Sequence, residues 1–244
     1  MIRQLVSSVL LAATLPFALS AQTVDEIVAK HIDARGGLAK LKAISSFRIT
    51  GEMEVGPGIK APVTMEQTRP EMMRMDMTVQ GMTMVQAYDG ATAWTINPFQ
   101  GKKDADVMPA DMATSFIEGA DIDGALVDYK AKGHTVTLIG KEKVEGSDAW
   151  KLKITLKNGN DRLVFLDADS YLEIRNEQKT KMQGTEIETF TNIGDYREVN
   201  GTQVPFSIEQ GAKGQPGVQR ITMTKVEANV AIDKTRFAMP KKAN

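Results

Sequence analysis

The chain has 244 residues, 30 Lys and Arg against 31 Asp and Glu, a net charge of −1, 6% aromatic residues and no cysteine. Near-neutral charge excludes a nucleic-acid binder built on a clustered basic excess, and the lack of Cys excludes disulfides, thiolate chemistry and acylation at an N-terminal Cys. The aromatic content is low for an outer-membrane barrel, which needs two aromatic girdles.

Residues 1–21 read as an export signal. Arg3 supplies the positive start, Leu5 to Leu19 form an apolar run broken by Pro16, and small residues follow at Ala18, Ser20 and Ala21. Cleavage is expected after Ser20 or Ala21. The run is too short to span a membrane. The expected mature chain, residues 22–244, is a single periplasmic domain, long enough for one large β core.

Thr23-Val24-Asp25-Glu26 is a capping box that starts a helix. Val24, Ile27, Val28, His31 and Ile32 share its apolar face, and Gly36-Gly37 stops it. Leu38, Leu41 and Ile44 predict a further helical turn. From Phe47 the period becomes two: Phe47, Ile49, Met53 and Val55 alternate with Arg48, Thr50, Glu52 and Glu54. Val63 and Met65 lead toward Arg69. Met73, Met75, Met77 and Val79 form the next strand, Met82 and Met84 follow a Gly81 turn, and Trp94 and Ile96 share one side of a short strand ended by Asn97-Pro98.

Residues 101–133 break the pattern and predict a helical insertion. Asp111 is the expected cap of a helix carrying Met112, Phe116 and Ile117, and Asp121 or Asp123 that of a second short helix through Leu126, Val127 and Tyr129. Strands resume after His134. Trp150, Leu152, Ile154 and Leu156 alternate with Lys and Thr, Asn158-Gly159 marks a hairpin, and Asn200-Gly201 marks another. The expected fold is mainly β with short helices (α+β): one antiparallel sheet of about eleven strands with one apolar and one charged face. So many strands must curl. Short helices covering the inside leave a cavity.

No catalytic pattern emerges. Only His31 and His134 are available as imidazoles, nothing has zinc-site spacing, and no nucleophile elbow or phosphate loop occurs. Asp167-Ala168-Asp169-Ser170 reads as a turn. No enzyme, metal or cofactor is expected.

The order Arg69-Pro70, Asp89-Gly90, Trp94 and Asn97-Pro98-Phe99, closed by Thr235-Arg236-Phe237-Ala238-Met239-Pro240, resembles the LolA/LolB family of lipoprotein carriers. The resemblance implies an unclosed antiparallel β-barrel with a helical lid at about 101–133, and a final strand at the closing motif. It further implies a soluble periplasmic carrier of lipoprotein acyl chains, loaded by an ATP-driven inner-membrane complex and unloaded to an outer-membrane acceptor, with only transient membrane contact. It assigns Arg69 to a lid latch. The chain departs from the family in its length and its acidic insertion, so a different lipid cargo, or a sensor domain with a filled cavity, stays open. Met is flexible and polarizable, suited to a wall that meets varied apolar shapes. The candidate cavity residues are therefore Val63, Met65, Met73, Met75, Met77, Met82, Met84, Trp94, Ile96, Phe99, Phe116, Ile117, Trp150 and Phe165.

Overall fold

The computed structural model describes residues 22–56, 58–182 and 185–241; the expected export signal lies outside them. The N-terminal helix α1 (Val24–Ala34) starts with Thr23 accepting from the Glu26 amide while the Glu26 carboxylate accepts from the Thr23 amide, a complete capping box. Gly36 ends it at φ 113°, where a Cβ would overlap the Gly201 carbonyl oxygen, so only glycine fits. A second helix, α2 (Leu38–Ala43), follows.

Six strands come next: β1 (Ser46–Gly56), β2 (Ile59–Thr68), β3 (Met72–Val79), β4 (Met82–Tyr88), β5 (Ala93–Ile96) and the two-residue β6 (Asp106–Val107). After α3 (Ala110–Glu118) come β7 (Thr135–Val144), β8 (Ser147–Thr155), β9 (Asp161–Asp167), β10 (Glu173–Met182), β11 (Thr185–Val199), β12 (Thr202–Ala212) and β13 (Val218–Ala228). They form one 13-stranded antiparallel sheet, two more strands than expected; β6 is too short to carry a period. Consecutive strands pair as hairpins, and β1 pairs with β13. The sheet thus consists of two meanders joined at one seam. Its edges, β6 and β7, do not pair, and residues 108–134 run from one edge to the other.

The inner face is the one that α1, α2 and the lid cover. Ile27 and Val28 of α1 and Leu126 of the lid pack on Leu152, Ile154, Leu156, Val164 and Leu166. A second inner cluster joins Ile49, Met223 and Phe206, and a third joins Met53, Ala61 and Met77.

The outer face is not uniformly charged, contrary to expectation. Val85, Ala87, Trp94 and Ala105 form a core there with Met239 against it, and Val144, Ala149 and Phe165 form another. The closing motif is not a strand: Lys234–Phe237 is a 3-10 turn laid over this core, with Phe237 fully buried. Trp94 Nε1 donates to the Phe237 carbonyl at 2.7 Å, and Arg236 reaches Glu66 at 2.7 Å.

The insertion also differs in detail. α3 is preceded by Pro109 as its cap, with Asp111 inside its first turn. Residues 121–133 form turns, not a second helix, because the Asp123 carboxylate takes cationic partners and Asp121 accepts from the Asp123 amide at 3.1 Å. Among the described residues no helix is long and apolar enough to cross a membrane.

Candidate functional site

Arg69 follows the end of β2, where the inward run Val63, Met65, Gln67 places it on the inner side. Its Nη1 and Nη2 donate to the two Asp123 carboxylate oxygens at 3.0 and 2.5 Å. Nε donates to the Ile44 carbonyl at 2.7 Å and Nη2 also to the Leu41 carbonyl at 3.2 Å, so the guanidinium ties α2 to the lid. Lys42 meets the same carboxylate at 2.6 Å and Asp128 at 2.7 Å, while Arg35 donates to the Asp123 carbonyl at 2.6 Å. Burial acts to raise the Asp123 carboxyl, but the bonds from Arg69 and Lys42 outweigh it and hold the pKa down at about 2.

The lid has two parts. Ala120, Leu126 and Val127 are buried, so the turns are a root set into the core. In α3 no residue is fully buried. This flap is held at its C-terminal end, where the Glu118 carboxylate accepts from Arg162, Asn158 and Asn160 at 2.8 to 2.9 Å and the Gly119 carbonyl accepts from Gln67 at 2.8 Å. Few buried contacts mark it as the part that opens at lowest cost.

Beneath the root lies a cavity of about 280 Å³, lined by Leu41, Ile44, Phe47, Ile49, Met65, Ile208 and Met223, with His31, Glu173 and Tyr196 at one side. Burial, with the nearby Arg35 charge, lowers His31 to about 4 despite its bond to the Tyr171 carbonyl. Burial likewise raises Glu173, although Asn176 donates to it.

A larger cavity of about 860 Å³ opens at the other end of the strands, between Ser115 of the flap and the inner wall of β10–β13. Its size falls within the ~300–1,000 Å³ of small-molecule sites. The two cavities lie end to end. On β12, Gln210 lines the larger and Ile208 the smaller; on β13, Gln219 and Met223 do so. Successive inward positions are only about 7 Å apart along a strand. On β13 the inward position between them is Ile221, which packs on the cluster of Met53, Ala61 and Met77, whose Met side chains change rotamer readily.

The expected cavity residues divide between the two faces. Val63, Met65, Met73, Met75, Met77, Met82 and Met84 share the inner face, since Met65 pairs with Met75, Val63 with Met77, and Met77 with Met84. Met65 lines the smaller cavity, Met75 and Met84 pack on the Met53–Met77 cluster, and Met82 is exposed at a hairpin. Phe116 and Ile117 are half-buried in the flap, and Ile117 lines a polar groove beside Arg162. Trp150 is on the inner face but packs into the α1 cluster, away from the trough. Four of the expected residues need correction. Trp94 and Ile96 stand opposite Ala87 and Val85, and those stand opposite Arg74 and Asp76, so all are on the outer face. Phe165, opposite Lys151, is outside too. Phe99 lies exposed in a 3-10 turn.

Sequence reasoning missed Asp123 as the Arg69 partner, since it is one of seven acidic residues in the insertion with no distinguishing neighbour. It also missed the Gln and Thr side chains of β10–β13, whose alternation reads as an ordinary solvated face.

The described residues thus form an unclosed antiparallel barrel with helices inside and a chain segment joining its two edges. This chain has the LolA-like fold. It is similar to a LolA superfamily protein from Nitrosomonas europaea (TM-score 0.59, 11% identity, 89% of this chain and 98% of that one). It is also similar to a protein described as an outer membrane lipoprotein-sorting domain from Vibrio parahaemolyticus (TM-score 0.56, 13% identity, 87% and 94%). A third similar structure is a DUF1329 family protein from Desulfovibrio piger (TM-score 0.56, 11% identity, 89% and 98%). No family model and no curated protein matches the sequence.

Proposed function

We propose that the chain is a soluble periplasmic carrier that shields acyl chains, of lipoproteins or related lipids, while they cross water toward the outer membrane. The observation that carries this reading is the trough: two cavities end to end on one inner wall, with Met-rich packing beside them. Burying a methylene gives roughly 0.8 kcal/mol, so a sixteen-carbon chain gains on the order of 12 kcal/mol. A cargo held that strongly needs a partner that competes for it, in keeping with an ATP-driven donor complex at the inner membrane and an acceptor at the outer one. Closing the flap over an empty trough lowers the net affinity, because opening it costs part of the binding energy.

In this reading Arg69 fixes the root of the lid through Asp123, and Glu118 holds the flap that admits cargo. The imidazoles of His31 and His134 serve packing, not catalysis. Native mass spectrometry of protein purified from its own periplasm tests the proposal, with a bound acyl-bearing mass expected. Neither bound lipid nor displacement of a hydrophobic dye would sink the carrier reading and favour a filled sensor or structural domain. Capture of acylated proteins, as against free lipid, separates lipoprotein transport from a lipid-binding role. Arg69→Leu is expected to retain cargo after mixing with acceptor membranes, and unchanged handover removes Arg69 from the mechanism.

A further inference from the structure

We infer that the cargo carries an uncharged head group rich in hydroxyl or amide groups, seated at the wide end of the trough against a row of neutral polar side chains. The inference rests on the carrier reading and concerns the same cavity. In the register of the sheet, Asn176 stands opposite Thr191, Thr191 opposite Gln210, and Gln210 opposite Gln219, so one row crosses β10 to β13 on the inner face. The neighbouring row places Gln178 opposite Thr189. All of these except Asn176 line the larger cavity.

A wall made only to pack acyl chains would be apolar here, as it is one step further along at Ile208, Ile221 and Met223. The row also has hydrogen-bonding capacity to spare. Gln210 Nε2 donates to Gln219 Oε1 at 2.6 Å, which leaves the Gln210 carbonyl and the Gln219 amino group open. The Gln178 carbonyl accepts from Arg162 at 3.1 Å, leaving its amino group, and the Thr191 hydroxyl takes no partner among the described residues. The carboxylate at the rim, Glu54, alternates with inward Met53 and lies toward Arg220 at 3.8 Å. Open donors and acceptors without net charge suit hydroxyls and amides. A phosphate, carboxylate or ammonium would be desolvated there, since the nearby charges, Glu54 and Arg162, are already paired with Arg220 and Glu118. The tails then point toward the smaller, apolar cavity.

Competitive displacement of a hydrophobic dye, with amphiphiles of one twelve-carbon chain below their micelle concentrations, tests this. Dodecyl maltoside or an N-dodecanoyl dipeptide amide is expected to displace dye at about tenfold lower concentration than dodecanoate, dodecyl sulfate or dodecylphosphocholine, the factor that one or two hydrogen bonds supply. A maltoside advantage assigns the head to sugar hydroxyls, a dipeptide advantage to the amides of an acylated protein. Thr191→Val combined with Gln210→Leu is expected to erase the advantage while dodecanoate still binds. Charged amphiphiles that bind as well or better, or a double variant that keeps the advantage, overturn the inference alone. If neither dye nor any amphiphile binds the native protein, the carrier reading falls with it.

Discussion

Arg69 and Asp123, fifty-four positions apart, meet through two hydrogen bonds at a carboxylate whose side chain is 3% exposed. Every nitrogen of the guanidinium is engaged: Nη1 and Nη2 on Asp123, Nη2 also on the Leu41 carbonyl of α2, and Nε on the carbonyl of Ile44, which caps that helix. Arg69→Leu leaves a buried carboxylate with Lys42 alone. Unfolding by urea is expected to show a loss of about 3 kcal/mol, the low end for breaking a buried ion pair. Adding Asp123→Leu is expected to restore much of it, which a double-mutant cycle measures.

The flap behaves differently. Glu118→Ala removes three hydrogen bonds at one carboxylate but no core packing. Amide exchange across residues 110–118 is expected to accelerate at least tenfold while global stability falls by only about 1 kcal/mol. A large global loss with unchanged exchange in α3 contradicts the division of the lid into root and flap.

Two acid transitions follow from His31 and Asp123. Folding lowers His31 from 6.5 to about 4, so the unfolded chain binds the proton first as pH falls. The stability it contributes is complete above pH 6.5 and lost between 6.5 and about 4, on the order of 3 kcal/mol. Asp123 is lowered from 3.8 to about 2, so its contribution is complete above pH 4 and fades toward pH 2. Chemical denaturation across pH is expected to show the first slope flattened by His31→Gln and the second by Asp123→Asn. The Arg69 clasp therefore stays closed at pH 5.

Trp94 sits on the opposite face from the Met wall. Trp94→Ala is expected to cost about 3–5 kcal/mol, as for a large core truncation, yet to leave cargo affinity unchanged in the surviving fold. Met75→Gln, on the inner face and half-buried, is expected to do the reverse: weaken dye and dodecanoate binding several-fold with little change in Tm. Both comparisons need only a thermal melt and one titration.

These contrasts also mark what the sequence could reveal. The Thr23–Glu26 box and the alternation of Met73, Met75 and Met77 are local, and the structure carries both. Period two says that Trp94 and Ile96 share a face. It cannot say which one until β5 is registered on β4, and that register sends both outward. Nothing local distinguishes Asp123 among the acidic residues of the insertion; its role exists only once β2 and the lid meet. The outer core was hidden for the same reason, because Phe237 lies 143 positions from the Trp94 indole it accepts from.

The lid chain is continuous with both sheet edges, leaving β6 and re-entering at β7. Together with the seam between β1 and β13, it makes a closed loop of polypeptide around whatever occupies the trough. A molecule inside is encircled, not merely covered, and sideways escape through the gap would have to pass a covalent strap. In the carrier reading proposed above, opening of the flap therefore widens this loop without breaking it.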